Sequence, residues 1–254
     1  MKVEGKAALV TGSASGIGRA TALALARRGC HVAVNYTRSQ REAEAVVRDA
    51  QALGVRTVLC RCDVSDDAAV RAMVATCERE LGRLDVLVNA AGTTHVAPPD
   101  DLEAVTPEIW DRIFDVNVRG TFLVTRAAAP LLKRGGEGAV VNLASVAGLR
   151  PAAQVIPYAA SKAAVVNMTV SFARILAPRV RVNAVAPGWM EGRWMRAALG
   201  DQYDRLMQRR AERTPLGRVA TPDDVAQTIV SLVERSDFVT GQTVVIDGGY
   251  STVG

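Results

Sequence analysis

A tyrosine and a lysine stand four residues apart in this sequence, as Tyr158 and Lys162 of the segment YAASK. Residues at i and i+4 lie on one face of an α-helix, so the phenol and the amine would be neighbours there. A nearby ammonium stabilises a phenolate, and we therefore expect the pKa of Tyr158 to lie below its ordinary value of about 10. Such a phenol can give and take a proton near neutral pH. Ser145 follows a predicted strand and could hydrogen-bond a carbonyl oxygen as negative charge develops on it.

A glycine-rich turn lies near the start of the chain, in the segment TGSASGIG at residues 11–18, between a predicted strand and a predicted helix. Glycines let the backbone turn sharply and approach a pyrophosphate, while the helix N-terminus offers N–H donors and positive potential. The spacing is G-x-x-x-G-x-G rather than the more widespread G-x-G-x-x-G, and a tight connection without a ligand is the alternative. The predicted cofactor contacts in this turn are Gly12, Ser13, Ser15, Gly16, Ile17 and Gly18.

The end of the second predicted strand bears on which nicotinamide cofactor would bind. NAD-binding units usually place Asp or Glu there, where it bonds the ribose 2′-hydroxyl. This strand ends instead with NYTRS at residues 35–39, which has no carboxylate. Arg38 with a neighbouring hydroxyl could hold a 2′-phosphate through charge-assisted hydrogen bonds, or it could be a solvated loop residue. NADP(H) is therefore favoured and NAD(H) stays possible. The predicted contacts are Asn35, Tyr36, Thr37 and Arg38.

Two further strand ends face the same predicted site, because ligands of open α/β sheets bind beyond the carboxyl ends of the strands. They read DV at residues 63–64 and NAAG at residues 89–92, and the small residues would let an adenosine lie against the backbone. Asp63 could instead be a turn residue ahead of the helix near residue 66. The predicted contacts are Asp63, Val64, Asn89, Ala90, Ala91 and Gly92.

Short apolar runs alternate with helical patterns along the whole chain, which predicts β-α-β units and a doubly wound parallel sheet in an α/β fold. The predicted strands are residues 7–10, 31–36, 57–60, 84–88, 139–143, 180–185 and 243–246. The predicted helices are near residues 16–28, 40–53, 66–81, 107–134, 158–177 and 222–234. Residues 187–214 are too long for an ordinary connection and are predicted to be a substrate lid. We expect one domain over residues 1–254.

Composition narrows the class of protein. The chain has 254 residues, 49% of them hydrophobic, which is too apolar for disorder as its main state. No run of 18 apolar residues occurs, so a membrane protein is not expected, and the charged first residues do not look like a secretory signal. The net charge of +5 comes without a basic block or many aromatic residues, which disfavours nucleic-acid binding.

The cysteines and histidines show no metal-ligand spacing, and we expect no metal site. Cys30, Cys60, Cys62 and Cys77 lie in or beside apolar segments. Buried free thiols in a reducing, cytoplasmic compartment are the expectation for them.

Taken jointly, these motifs resemble the short-chain dehydrogenase/reductase family, over nearly the whole chain from Lys6 to Gly249. The resemblance also rests on Asn117, Asn183, the pair Pro187-Gly188 and the late segment DGG at residues 247–249. It implies a Rossmann-type fold of seven strands and a homotetramer. It also implies a catalytic tetrad of Asn117, Ser145, Tyr158 and Lys162, in which Asn117 serves a water-mediated proton relay. Further cofactor contacts implied are Tyr158, Lys162, Pro187, Gly188 and Met190.

Within that family the sequence is most similar to 3-oxoacyl-(acyl-carrier-protein) reductases and to relatives that oxidise sugars or alcohols. We therefore expect hydride transfer between the nicotinamide and a carbonyl or secondary alcohol of a small molecule. The family usually has Thr four residues after the glycine of Pro-Gly, where this chain has Gly192, which indicates a rebuilt lid. The predicted substrate contacts are Ser145, Gln154, Tyr158, Trp189 and Trp194, with Thr93, Thr94, His95, Ile156 and Met195 as further pocket candidates.

Other functions stay open at this point. The alternatives are an NAD-dependent sugar or alcohol dehydrogenase and a non-catalytic dinucleotide-binding sensor or scaffold. Sugar epimerisation or dehydration is disfavoured, because the chain leaves little room for a sugar-nucleotide domain. Lys133 and Arg134, near a predicted helix end, could contact an acidic carrier protein, although a solvated surface is the simpler interpretation.

Overall fold

The computed structural model describes residues 1–98, 101–152 and 155–252. The strands are β1 Ala7–Val10, β2 His31–Tyr36, β3 Thr57–Arg61, β4 Val86–Asn89, β5 Gly138–Leu143, β6 Val180–Pro187 and β7 Thr243–Ile246. The helices are α1 Gly16–Ala26, α2 Gln40–Gln51, α3 Asp67–Leu81, α4 Pro107–Phe114, α5 Gly120–Arg134, α6 Ile156–Leu176, α7 Arg193–Leu199, α8 Tyr203–Arg213 and α9 Pro222–Glu234.

The strands form one seven-stranded sheet in the order β3-β2-β1-β4-β5-β6-β7, and every neighbouring pair is parallel. The chain order reverses between β1 and β4, which opens a crevice beyond the carboxyl ends of these strands. The predicted doubly wound parallel sheet is thus confirmed.

Helices cover both faces of the sheet, which explains why its strands read as continuous apolar runs. On one face α1, α2 and α9 bury side chains such as Leu25, Val46 and Ile229 against the strands. On the other face α3, α5 and α6 bury side chains such as Met73 and Leu132. The four cysteines are buried free thiols, as predicted.

Two regions differ from the predicted elements in ways that matter for the site. The predicted helix over residues 107–134 is interrupted by a π-helical turn at Asp115–Arg119, which contains Asn117. The segment 187–214 holds α7 and α8, joined by a 3₁₀ turn at Gly200–Gln202. Within the described residues, we find no helix with the length and apolar character that crossing a membrane requires.

Candidate active site

Ser145, Tyr158 and Lys162 meet at the carboxyl end of β5. Ser145 stands two residues beyond that strand and caps the short 3₁₀ turn Val146–Gly148, accepting a hydrogen bond from the backbone N–H of Ala147 at 3.2 Å. Its hydroxyl also hydrogen-bonds the phenol of Tyr158, which lies in the first turn of α6. The fold therefore brings the strand-end serine and the helical tyrosine into contact.

Lys162 lies one turn further along α6 and is buried, with 5% of the residue exposed. Its Nζ donates a hydrogen bond to the backbone carbonyl of Leu143, the last residue of β5, at 2.6 Å. The same Nζ stands 5.6 Å from the centre of the Tyr158 ring. The amine is thus fixed between the strand end and the phenol.

The pKa of Tyr158 shifts in the opposite direction to the prediction, and the pKa of Lys162 is shifted as well. Burial raises the pKa of Tyr158 and outweighs the hydrogen bond from Ser145, which lowers it. Burial also lowers the pKa of Lys162 from 10.5 to about 8. The predicted lowering of the tyrosine pKa is therefore wrong for the chain alone. Desolvation disfavours the phenolate, and it also disfavours the ammonium that was expected to stabilise the phenolate.

Asn117 holds the loop after β4 against α6. Its Oδ1 accepts a hydrogen bond from the backbone N–H of Thr93 at 2.8 Å, and its Nδ2 donates to the Thr93 carbonyl at 3.0 Å. Nδ2 also donates to the hydroxyl of Ser161 at 2.9 Å, and that hydroxyl donates to the Tyr158 carbonyl at 2.7 Å. The side chain is fully engaged with protein groups, and it orients the helix that carries the tyrosine.

The glycine turn forms a cradle at the N-terminus of α1. Gly12 has a φ of 63°, and a Cβ there would lie 2.9 Å from the Cα of Ala91. A Cβ on Gly18 would lie 2.5 Å from the carbonyl oxygen of Gly12. By contrast, a Cβ on Gly16 would meet nothing within 4 Å, so the space in front of the loop is open. Close packing behind an open space, at a helix start with unpaired N–H groups, fits a pyrophosphate.

Ser13 and Asn35 lie behind this loop. The Asn35 Oδ1 accepts a hydrogen bond from the Gly12 N–H at 3.0 Å, and the Asn35 backbone exchanges bonds with Ser13. Both residues are at most 1% exposed. They shape the loop from inside, whereas Ser15 and Gly16 are exposed at its front and Ile17 is partly exposed.

The loop after β2 presents Thr37 and Arg38 to solvent. Among the residues that the structure describes, no carboxylate forms an ion pair with Arg38. Tyr36 is buried beneath them, with 8% exposed. The guanidinium is therefore available to a phosphate group.

The other predicted strand-end contacts divide between the crevice and the interior. Asp63 accepts hydrogen bonds from Ser65 at 2.7 Å and from Arg112 at 3.0 Å, and these bonds hold its pKa below the usual value although burial opposes them. Asn89 points into the sheet, where its Nδ2 donates to Asn142 and Thr125. The remaining predicted contacts range from buried to exposed. Val64 is buried, Ala90 and Ala91 are partly exposed, and Gly92 is exposed at the edge of the crevice.

Beyond β6 the chain turns at Gly188, whose N–H donates to the Ile246 carbonyl at 2.9 Å. Met190 forms a parallel bridge with Ala220. The guanidinium carbon of Arg210 lies 4.4 Å from the Trp189 ring centre, which fixes α8 to this turn. Gln154 lies outside the described residues, and the side chain of Trp194 is likewise not described.

The sequence of this chain matches a known family over nearly the whole length of the chain. The family model described as Enoyl-(Acyl carrier protein) reductase matches residues 12–251. A Streptomyces violaceoruber protein named as ketoacyl reductase 2 of granaticin polyketide synthase is 45% identical over 249 residues, which cover 97% of this chain and 96% of that protein. The chain belongs to the short-chain dehydrogenase/reductase family.

Other members of this family support the same placement. A Staphylococcus aureus 3-oxoacyl-(acyl-carrier-protein) reductase is 40% identical, covering 96% of this chain and 97% of the relative. Among solved structures, a Burkholderia cenocepacia gluconate 5-dehydrogenase in complex with NADP and tartrate is 33% identical with a TM-score of 0.90. It covers 100% of this chain and 98% of that one. An NAD⁺-bound xylitol dehydrogenase is 32% identical with a TM-score of 0.89, and the match covers 98% of this chain and 100% of that one.

Several residues that build the site in this short-chain dehydrogenase/reductase were missed from the sequence. Thr11 accepts hydrogen bonds from the N–H groups of Ala90 and Ala91, both at 3.0 Å, and so joins the glycine turn to the loop after β4. A Cβ on Gly148 would lie 2.6 Å from the carbonyl carbon of Lys162, so only glycine lets the Ser145 turn pack on α6. The sequence signal that could have indicated this contact is the glycine at position 148, three residues after Ser145.

Lys133 and Arg134 lie at the opposite end of the molecule from this site, at the C-terminus of α5. Arg134 is bonded to Glu78 at 2.6 Å. Among the described residues, no group of three or more His, Cys, Asp or Glu side chains could hold a metal ion.

Proposed function

We propose that this chain is an NADP(H)-dependent reductase of 3-oxoacyl thioesters, converting the ketone to a secondary alcohol. The single observation that carries the proposal is the cluster of Ser145, Tyr158 and Lys162 at the carboxyl end of β5, beside the crevice that opens over the glycine turn. The relatives named as ketoacyl and 3-oxoacyl-(acyl-carrier-protein) reductases support the substrate class.

The residues that would hold the cofactor follow from the shape of the crevice. The N–H groups at the start of α1 would bind the pyrophosphate, and Arg38 with Thr37 would bind the 2′-phosphate. When bound, the nicotinamide supplies the hydride to the carbonyl carbon, or accepts it in the reverse reaction.

The chain's own groups manage the proton and the charge on oxygen. Tyr158, which burial keeps protonated at neutral pH, donates its proton to the substrate oxygen as that oxygen becomes an alkoxide. Ser145 donates a hydrogen bond to the same oxygen. Lys162, with a pKa of about 8, is poised to return a proton toward the phenol. A raised tyrosine pKa suits the reductive direction, in which the phenol must start protonated.

A Tyr158→Phe variant tests this function. We expect NADPH binding to persist and turnover to fall by about 10²- to 10⁴-fold, the usual contribution of a positioned general acid. Persisting NADPH binding, measured by fluorescence titration, would show that the variant is folded. Full turnover in the variant would refute the assignment.

An NAD-dependent sugar or alcohol dehydrogenase is the second candidate, because the structure of an NAD⁺-bound xylitol dehydrogenase matches with a TM-score of 0.89. Following cofactor consumption with 3-oxoacyl thioesters, sugars and simple ketones, each with both nicotinamides, separates the two functions. A preference for NADH would contradict the role given to Arg38.

Residues 187–214 are proposed as the substrate lid. Support comes from the attachment of α8 to Trp189 and from Gly192, whose φ of 142° allows the turn into α7 and whose N–H donates to the Tyr203 hydroxyl at 3.1 Å. Gly192→Ala should strain this turn and raise KM for the substrate more than KM for NADPH. Equal changes in both constants would argue against a lid.

We also propose a cytoplasmic homotetramer. The buried free thiols fit a reducing compartment. Trp110 and Phe122 are 39% and 41% exposed and stack on Phe114 and Phe172, respectively, which leaves apolar surface for another subunit. Light scattering coupled to size exclusion would give the subunit number, and a monomer would contradict this proposal.

A further inference from the structure

Three buried thiols stand between β3 and α3, away from the groups that the proposed reaction uses. Cys60 lies in β3, Cys62 directly follows that strand, and Cys77 lies in α3, which packs on β3. All three belong to one hydrophobic cluster, and each is at most 5% exposed. Buried cysteines usually serve only as small apolar side chains, so a contact between two of them calls for an explanation.

Cys60 and Cys77 are paired with each other. Their thiols share a side-chain hydrogen bond, in which the Cys77 S–H donates to the Cys60 sulfur. That bond lowers the pKa of Cys60, although burial opposes it, and the charge of Arg79 acts in the same direction as the bond. The same bond, together with burial, raises the pKa of Cys77. Cys60 is therefore the more nucleophilic member of the pair, with a second thiol beside it.

The other two cysteines lack this arrangement. Burial and the Asp63 carboxylate raise the pKa of Cys62 to about 12, and its thiol donates to the Asp63 carbonyl at 3.4 Å. Cys30 lies in the cluster on the other face of the sheet, where its thiol donates to the Lys6 carbonyl at 3.4 Å. In the described part of the chain, neither thiol is hydrogen-bonded to another thiol.

The backbone of Cys60 is joined to the glycine turn through Asn35. The Asn35 Nδ2 donates to the carbonyls of Cys60 at 3.3 Å and of Cys62 at 3.1 Å. Its Oδ1 accepts the hydrogen bond from the Gly12 N–H at 3.0 Å. Because β3 stands at the edge of the described sheet, a neighbouring strand holds it on one side only. A shift of Cys60 toward α3 is therefore passed on to the loop that would bind the pyrophosphate.

We propose that Cys60 and Cys77 form a redox modification site, at which a peroxide closes a reversible disulfide that loosens the cofactor cradle. This site goes beyond the proposed function, since no step of the reduction uses either thiol. A disulfide holds its sulfurs about 2.0 Å apart, much closer than a thiol hydrogen bond does, so the bond draws Cys60 toward α3. The Cys60 carbonyl then moves away from Asn35, which weakens the hold of that side chain on the Gly12 N–H.

The chemistry balances with hydrogen peroxide as the oxidant. The Cys60 thiolate attacks one peroxide oxygen, the O–O bond breaks, and the departing hydroxide takes up the proton that Cys60 released. The resulting sulfenic acid is attacked at sulfur by Cys77, which forms the S–S bond and displaces water. Two thiols lose two electrons and two protons in all, and one peroxide becomes two waters. A dithiol reductant reverses the reaction by thiol–disulfide exchange.

Peroxide treatment of the reduced protein tests the site. The variants are Cys60→Ala and Cys77→Ala, and the matched controls are Cys30→Ala and Cys62→Ala, which each remove one other buried thiol. Free thiols are blocked with N-ethylmaleimide, and peptide mass spectrometry locates any disulfide. We expect a Cys60–Cys77 bond in the wild type and in both controls, its reversal by dithiothreitol, and no disulfide in the two variants.

Cofactor affinity is measured on the same samples. The oxidised wild type should bind NADPH about fivefold more weakly than the reduced protein, which is about the effect of one hydrogen bond, and dithiothreitol should restore the affinity. Coupling of this kind is reciprocal. Saturating NADP⁺, which has no hydride to give, should therefore shift the thiol–disulfide equilibrium in a glutathione buffer toward the thiols.

A treated wild type that keeps all its thiols, a disulfide to Cys62 instead, or a disulfide that leaves NADPH affinity unchanged would each overturn this proposal. So would an equal loss of affinity in peroxide-treated Cys77→Ala, where the bond cannot form. The disulfide is detected without any thioester substrate. If it forms and weakens NADPH binding while 3-oxoacyl thioesters are not reduced, the proposed function fails and the redox site stands.

Discussion

Replacing Lys162 with methionine should show how much the buried amine lowers the free energy of unfolding, separately from its role in the reaction. Methionine has a similar length and no charge, so it fills the space between β5 and α6. Because burial lowers the pKa of Lys162 from 10.5 to about 8, the folded chain binds this proton more weakly than the unfolded chain does. The unfolded state therefore binds more protons between these two values, and the stability of the wild type rises with pH in that window.

The size of the effect follows from the two pKa values. The unfolded and folded pKa values are 10.5 and about 8, and each pKa unit corresponds to about 1.4 kcal/mol. Most of this difference, but not all of it, is expressed between about pH 7 and about pH 10. Raising the pH across that range should therefore add about 2.5 kcal/mol to the free energy of unfolding. Below about pH 8 the amine is charged in both states, and the penalty for burying it is fully present. The Lys162→Met variant lacks this term. Other groups, such as the buried cysteines, titrate alike in both proteins and cancel in the difference.

Urea unfolding of both proteins at several pH values measures this difference directly. The stability of the wild type relative to Lys162→Met should rise with pH by the amount above. Tyr158→Phe is the matched control. It keeps the amine and removes a group whose pKa is raised, so the wild type should lose stability relative to that variant as pH rises above about 10. A flat difference between wild type and Lys162→Met would refute the reasoning that burial destabilises the ammonium.

Four further substitutions test other parts of the site. Gly18→Ala places a Cβ 2.5 Å from the Gly12 carbonyl oxygen and should weaken NADPH binding at least about tenfold, measured by fluorescence titration; unchanged affinity would contradict the cradle. Arg38→Gln should raise KM for NADPH about tenfold and leave KM for NADH unchanged, since only NADPH carries the 2′-phosphate. Gly148→Ala should lower kcat about a hundredfold through displacement of the Ser145 turn, while NADPH affinity stays normal. Asn117→Ala leaves the Thr93 N–H without its partner and should lower the free energy of unfolding by about 1–3 kcal/mol in urea titrations.

The sheet could be predicted because its determinants are local and repeated. Each strand is a continuous apolar run, and each of the first six is followed by a helical pattern, so element types and their order follow from periodicity alone. The predicted strand at residues 31–36 and helix at residues 222–234 coincide with β2 and α9. The π-helical turn at Asp115–Arg119 could not be predicted, since one extra residue in a helix leaves no periodic trace in so short a window.

Charge states in the site could not be predicted either, because they depend on burial. Spacing alone places Tyr158 and Lys162 on one helix face, and the expected effect of the amine on the phenol assumed an ammonium in water. In the fold, Lys162 is buried and Tyr158 is partly buried, and desolvation reverses the direction of the tyrosine pKa shift. Sequence gives neighbours along a helix, whereas the pKa of a group depends on everything that packs around it.

The enclosure of Lys162 depends on residues outside the trio of Ser145, Tyr158 and Lys162. Leu143 offers its backbone carbonyl to Nζ, and Gly148 allows the Ser145 turn to lie against the helix backbone at Lys162. Asn117 ties the loop after β4 to α6 through Thr93 and Ser161. These contacts keep water away from the amine and hold its nitrogen near the phenol, which brings its pKa to about 8 and so within reach of neutral pH. The packing that destabilises the ammonium is therefore the same packing that, in the proposed mechanism, lets the amine exchange a proton.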